Sequence, residues 1–328
     1  MYVENDVSSR NLSLDVLRIL ACLAVIMIHT AGSPIVHGMV QPHSIWYAEC
    51  LILDAFSRWS VPVFVMLTGF FMLDPQKKIT IKMLFGKYIL RLVTALLFWS
   101  VFYAVTLHKA FYPLGTQEGH FWYVGMCIGL YISLPVLRWI AQKPKLLAYF
   151  CWFWLFYMVY SFVDRIVVMP IDFGDVIFID YVGYCFWGYY LKTILLTKRQ
   201  ESVIYLIGLI GLFVTITMGL VTQNNNTIFF GYMSPNVIAF SFSIFLFVIR
   251  HPINAGKRVS NIVQTCSQCT FGIYLIHLWI LIQIFFRFHR YIPQPLPLCL
   301  LCILIAFVTG YSMVLIIKKI PFINRYIV

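Results

Sequence analysis

Ten stretches of this chain are each long and apolar enough to cross a lipid bilayer. They run over 14–36, 47–73, 85–107, 121–140, 146–169, 175–196, 203–222, 231–250, 269–288 and 296–317. A hydrocarbon layer is spanned by about 20 apolar residues in a helix, because each backbone N–H and C=O must be bonded within its own segment. The connecting segments are short and leave no room for a soluble domain. The expectation is an all-α polytopic membrane bundle of about ten transmembrane helices. Residues 1–328 then form one domain, with a tail at 1–13, helices over 14–317 and a tail at 318–328. The composition agrees: 61% of residues are hydrophobic and only 11% charged, against about 25% charged in soluble domains.

The formal charge of +12 does not point to nucleic acid, which calls for basic residues clustered on a soluble face. Here they sit between apolar runs. Arg10, Lys77, Lys78, Lys82, Lys87, Lys143, Lys145, Lys198, Arg199, Lys257, Arg258, Lys318, Lys319 and Arg325 fall in the tails and in every second gap. The other gaps are poor in Lys and Arg, and the one holding Asp164, Arg165, Asp172 and Asp175 is net acidic. This alternation fits the positive-inside rule with both termini cytoplasmic. No cleavable signal peptide is expected, since a polar tail precedes a long first apolar run. Cys266/Cys269 and Cys299/Cys302 have the CxxC spacing of metal or redox pairs, but they lie in or beside membrane helices, where small buried residues are the simpler reading. No metal is expected. Gly208, Gly211 and Gly219 would allow close helix approach in the seventh span, and Pro62 suggests a break within the second.

The polar residues inside the spans carry the functional question. Arg18 and His29 lie eleven residues apart in the first span, which places them on one helix face about 16 Å apart. Arg18 is near the cytoplasmic end, where it either pairs with Asp15 or anchors by snorkelling. His29 lies toward the outer half, either as an interhelical hydrogen-bond partner or as a group for proton transfer near neutral pH. Asp54 and Arg58 stand one turn apart in the second span and can neutralise each other, with Glu49 further out. Residues 47–58 otherwise read as a partly wet interfacial helix. His120, beside Trp122 and Tyr123, opens the fourth span, either lining a site or belonging to an aromatic interface belt. Tyr274 and His277 share a face of the ninth span. Arg287 and Arg290 sit at its outer end against the charge rule, facing either an anionic glycan or lipid headgroups.

Four pieces in order carry a family resemblance: the Arg18–His29 spacing, VPVFVMLTGFFML, FWYVGMCIGLYISLP and GIYLIH. Together they resemble the membrane acyltransferase family 3, bacterial O-acyltransferases of surface glycans, over nearly the whole chain. Length and pattern are most similar to its small stand-alone members. The resemblance implies transfer of an acyl group, commonly acetyl, from acyl-CoA to a hydroxyl of a lipid-linked or surface glycan, at the bacterial inner membrane. It implies that His29 is catalytic and that Arg18, Lys87 and Arg91 meet the CoA. Many members have two arginines three apart at the start of the third span; here Tyr88 and Arg91 hold those positions, with Lys87 adjacent. On this reading Glu49, Asp54, Arg58, His120, Tyr274, His277, Arg287 and Arg290 are orienting or substrate-side candidates, Asp54 or Glu49 being the candidates to orient His29. Membrane lipid and a glycan acceptor are the implied partners. The rival reading is a transporter or flippase of a lipid-linked glycan, with the same polar residues as its pathway; a non-catalytic assembly subunit is a third.

Overall fold

The computed structural model describes residues 11–108, 119–167, 180–225, 227–321 and 326–328. It is all helical among these residues, and nine helical segments are long and apolar enough to cross a membrane. They are α1 (Leu12–Val36), a broken segment made of α2 (Ile45–Ser57) and α3 (Ser60–Met72), and a second composite of α4 (Ile81–Met83), a π-helical turn (Leu84–Ile89) and α5 (Leu90–Thr106). After these come α6 (Trp122–Ala141), α7 (Pro144–Val167), α9 (Lys198–Thr222), α10 (Pro235–Arg250), α11 (Lys257–His289) and α12 (Pro295–Lys318). Between α7 and α9, α8 (Asp180–Thr193) occupies the place of the predicted sixth span. Its 14 described residues rise about 21 Å. The first part of the predicted span, with Asp175, lies outside the described residues, as do Arg10, Asp172 and Arg325.

Glycines set α8 against its neighbours. A Cβ on Gly69 would lie 1.8 Å from the Cys185 carbonyl oxygen, and one on Gly188 would lie 2.0 Å from that of Met66. Backbone therefore touches backbone where α3 and α8 cross. At the C-terminal ends of the same two helices, Lys192 pairs with Asp74. The glycines of the seventh span behave as the sequence suggests: Cβ atoms on Gly208 and Gly211 would fall 2.3 Å from Ser243 and 2.4 Å from the Asn236 carbonyl oxygen on α10. The break in the second span falls between α2 and α3, with Pro62 in the first turn of α3, where its missing N–H costs no intrahelical bond.

The sequence understated α11. Its apolar part begins near 269, but the helix starts at Lys257. The added turns, KRVSNIVQTCSQ, are polar, and a window tuned to hydrocarbon passes over them. They lengthen the helix at its N-terminal end and carry Ser267 and Gln268, which line a cavity together with Arg18.

The first helix is the hub. It packs against α2, α3, α10, α11 and α12, and its buried residues feed two cores. Leu14, Leu17 and Ala21 join a cluster built from α3, α6, α7, α8 and α10. Cys22, Val25 and Ile26 join one built from α5, α11 and α12. Large apolar side chains such as Phe156, Phe213 and Leu304 are exposed on outward faces, as expected where the solvent is lipid.

Candidate functional site

Three histidines from three separate elements meet beyond the midpoint of α1. The rings of His29 on α1 and His277 on α11 are 5.1 Å apart, those of His277 and His120 5.1 Å, and those of His29 and His120 6.4 Å. His120 precedes α6 and is buried, so it belongs to the interior and not to an interface belt. It is pinned to α11 twice: the Tyr274 hydroxyl donates to its carbonyl oxygen, and its Nε2 bonds the Leu275 carbonyl oxygen at 3.2 Å. The His277 Nδ1 bonds the carbonyl oxygen of Tyr274 at 2.5 Å.

A carbonyl oxygen only accepts, so these contacts assign the tautomers. His120 carries its proton on Nε2 and His277 on Nδ1. Each then turns an unprotonated nitrogen, His120 Nδ1 and His277 Nε2, into a buried space with no hydrogen-bond partner among the described residues. His29 differs from both. It is partly exposed, and its ring makes no hydrogen bond among the described residues. A partly exposed histidine thus stands beside two buried ones.

Tyr103 of α5 fixes the α11 segment that carries this cluster. Its hydroxyl accepts from the Trp279 N–H at 2.9 Å and donates to the Leu275 carbonyl oxygen at 3.1 Å. One hydroxyl thereby bridges an i,i+4 pair of the helix, a position at which inserted groups bend helices. The sequence offered no signal for this residue beyond its lying in an apolar run.

Outward of His29 lies an ion pair. Arg58 Nη2 donates to Asp54 Oδ2 at 2.6 Å, and Asn225 Nδ2 donates to the same oxygen at 2.9 Å. The Arg58 guanidinium lies 5.3 Å from the ring of Phe230. Asp54 is fully buried, so residues 47–58 are no wet interfacial helix at this point. Asp54 is committed to Arg58 and Asn225 and does not orient the His29 ring. Glu49 sits on the α12 side of α2, in electrostatic range of Cys299, with its Oε2 buried and unpartnered among the described residues. Arg287 and Arg290 are exposed near the outer end of α11, and the structure does not bring them to the histidines.

The end of the bundle that carries Arg18 holds a cavity of about 670 Å³ lined by Arg18, Lys87, Arg91, Tyr131, Gln268 and Lys318, among others. Arg18 donates to Asp15 at 3.0 Å, and Asp15 in turn accepts from Ser267 at 2.6 Å. Lys87 and Tyr88 lie on the π-helical turn, an irregularity frequent at functional sites. Residues 326–328 are no free tail: Arg91, Thr94 and Trp99 donate to the oxygens of Val328, Tyr326 and Ile327.

Arg138 at the end of α6, which the sequence did not single out, ties down the loop after α3. It bonds the carbonyl oxygens of Met72, Asp74 and Lys77. Burial lowers the Lys77 pKa, and the charges of Arg138, Lys87 and Arg18 lower it further. Four cations thus press on one another at this end of the bundle. Burial raises the Asp74 carboxyl, but the hydrogen bonds from Lys192 and the Gln76 amide, with the charges of Lys192 and Arg138, leave it below its ordinary value.

The described residues contain no group of three or more His, Cys, Asp or Glu side chains arranged to hold a metal ion. The cysteines of both CxxC spacings are free thiols.

No curated protein and no solved structure matches the chain. A family described as an acyltransferase domain matches residues 11–317, a range that takes in the histidine cluster, the Asp54–Arg58 ion pair and most of the cavity beside Arg18. The chain therefore belongs to this family of membrane acyltransferases.

Proposed function

We propose that the protein is an O-acyltransferase that moves an acyl group, in the simplest case acetyl, from acyl-CoA at the cytoplasmic end to a sugar hydroxyl of a lipid-linked or surface glycan. The observation that carries this reading is the partly exposed His29, whose ring lies 5.1 Å from that of buried His277 and 6.4 Å from that of buried His120. A sugar hydroxyl is a weak nucleophile near neutral pH, and a positioned base raises its reactivity by about 10²- to 10⁴-fold. His29 takes the hydroxyl proton as the oxygen attacks the thioester carbonyl. The C–S bond breaks, an ester C–O bond forms, and the proton passes to the departing thiolate.

His277 is the orienting partner in this scheme in place of Asp54. Its Nε2 lone pair is unclaimed and stabilises the His29 imidazolium as it forms. Arg18, Lys87 and Arg91 line the cavity and suit the phosphates of the nucleotide end of the donor, since crowded cations gain most from a polyanion. From Arg18 to His29 the helix rises about 16 Å, a span for the donor's extended arm.

Purified protein in nanodiscs, supplied with labelled acetyl-CoA and membrane glycan from the expressing cell, tests the reading. Label should enter glycan with wild type and fall by about 10²-fold or more with His29→Ala, at equal yield of folded protein. Full transfer by that variant sinks the role of His29. Translocation of glycan without label would support the flippase reading.

A further inference from the structure

The buried ion pair outward of His29 contains polar atoms that the protein itself does not satisfy. Asp54 is fully buried. Its Oδ2 takes both Arg58 Nη2 and Asn225 Nδ2, while its Oδ1 has no partner among the described residues. Arg58 Nε is likewise buried and unpartnered. Leaving one acceptor and one donor of a buried charged pair unmade is costly, and it is uncommon unless something else completes them.

The pair lies against the helix that carries His29. A Cβ on Gly32 would sit 3.8 Å from Asn225 Nδ2, and Gly32 is three residues beyond His29 on α1. That is about 4.5 Å further along the axis, on much the same face. An acceptor bound beside His29 on its Gly32 side meets this point. Beside it, Tyr232 lies 6.0 Å from the Arg58 guanidinium and stacks at 6.0 Å on Trp122; both rings are partly exposed.

We propose that Asp54, Arg58 and Asn225 form a hydroxyl-recognition subsite for the acceptor sugar, with Tyr232 and Trp122 as its apolar wall. This rests on the reading of His29 as the base that deprotonates the acceptor. A free carboxylate oxygen accepts from one sugar hydroxyl, and the guanidinium Nε–H donates to its neighbour. Adjacent hydroxyls of a pyranose offer both functions side by side. The aromatic faces suit the C–H surface of the ring. An anionic ligand fits less well, because Asp54 already neutralises Arg58.

The test uses the full chain in nanodiscs and, as probes, the methyl glycosides of glucose, galactose, mannose and N-acetylglucosamine, with binding read by saturation-transfer NMR. At least one probe should bind wild type. Asn225→Ala, which leaves the ion pair intact, and Arg58→Lys, which keeps the charge but loses Nε–H, should each weaken it about 10-fold or more. Retained acetyl-CoA binding and an unchanged gel-filtration profile show that each variant is folded. Failure of every probe to bind wild type overturns the proposal, because buried water then completes the two atoms. Equal binding by wild type and both variants overturns it as well. Sugar binding that depends on Asn225 and Arg58 in a protein that transfers no label upholds the subsite while removing the transfer reading.

Discussion

Gly69→Ala adds one methyl group where there is no room for it. The new Cβ would lie 1.8 Å from the Cys185 carbonyl oxygen and 2.6 Å from its carbon, about 1.6 Å inside ordinary contact. The obstacle is backbone of α8, which cannot rotate away as a side chain can. On the other side of the crossing, Gly188 rests on the Met66 carbonyl in the same manner, so α8 cannot tilt to relieve one contact without worsening the other. Overpacking of a close-packed interior costs about 1–3 kcal/mol, and backbone on both faces puts this site at the upper end. Alanine recovers up to about 1 kcal/mol through its helix propensity. The net expected loss is about 2 kcal/mol. Gly129→Ala on α6 is the control: nothing lies within 4 Å of its added Cβ, and it gains the same propensity with no clash. Thermal unfolding followed by fluorescence-detected gel filtration in one detergent should place Gly69→Ala several degrees below wild type and Gly129→Ala at or slightly above it. Equal midpoints for the two variants would refute the argument that α3 and α8 meet backbone to backbone.

Three further outcomes follow from the site. Tyr103→Phe removes the hydroxyl shared by Trp279 N–H and the Leu275 carbonyl; the cost in stability should be about 1–3 kcal/mol, and acyl transfer should fall more than donor binding does. Unchanged transfer would mean that the Tyr103 bridge does not position His277. The Asp74 carboxyl is held below its ordinary value mainly by Lys192, so its contribution is fully present above about pH 3.9 and is lost as pH falls through the lower folded value. Asp74→Asn should therefore unfold earlier than wild type at neutral pH, with the gap closing in acid below that value; a gap independent of pH would refute the pairing. Lys77 is pushed below the ordinary lysine range by burial and by Arg138, Lys87 and Arg18. Its charge, and with it part of the affinity for acyl-CoA, should fade as pH rises through that lowered value, whereas Lys77→Arg should hold affinity constant over the same range. Parallel pH profiles for the two proteins would rule out a contribution of the Lys77 charge, felt by Arg18 and Lys87, to donor affinity.

Local patterns were the legible part of this chain. The apolar runs and alternating Lys and Arg announced a bundle, because a bilayer imposes length and charge rules that a single sequence obeys openly. Pairs within one helix were legible too, since i,i+3 and i,i+4 spacing fixes contact: Asp15 with Arg18 and Asp54 with Arg58 are both formed. What could not be read was which helices face each other. Nothing in the spacing of His120 and His277, some 150 residues apart, brings their rings to 5.1 Å. Asn225 lies in the gap between two predicted spans, yet it donates to a carboxylate 171 positions away. The α3–α8 crossing was hidden for the same reason, because Gly69 and Gly188 acquire meaning only opposite each other.

These cross-helix contacts change how the first helix works in the proposed reaction. Arg18 and His29 share one rigid rod, which fixes their separation but not what surrounds either of them. The surroundings come largely from α11: Ser267 and Gln268 border the cavity beside Arg18, and His277, bonded to the Tyr274 carbonyl, borders the His29 ring. From Ser267 to His277 that helix rises about 15 Å, close to the rise from Arg18 to His29. Two adjacent helices thus present matched ends, with polar and cationic groups at one and imidazoles at the other. A small shift between them would move both ends at once. Tyr103 and His120, both bonded to the Leu275 carbonyl, are placed to resist such a shift. The proposed chemistry then depends on α1 and α11 holding register, and residues that touch neither substrate, Tyr103 first among them, belong in any mutational account of activity.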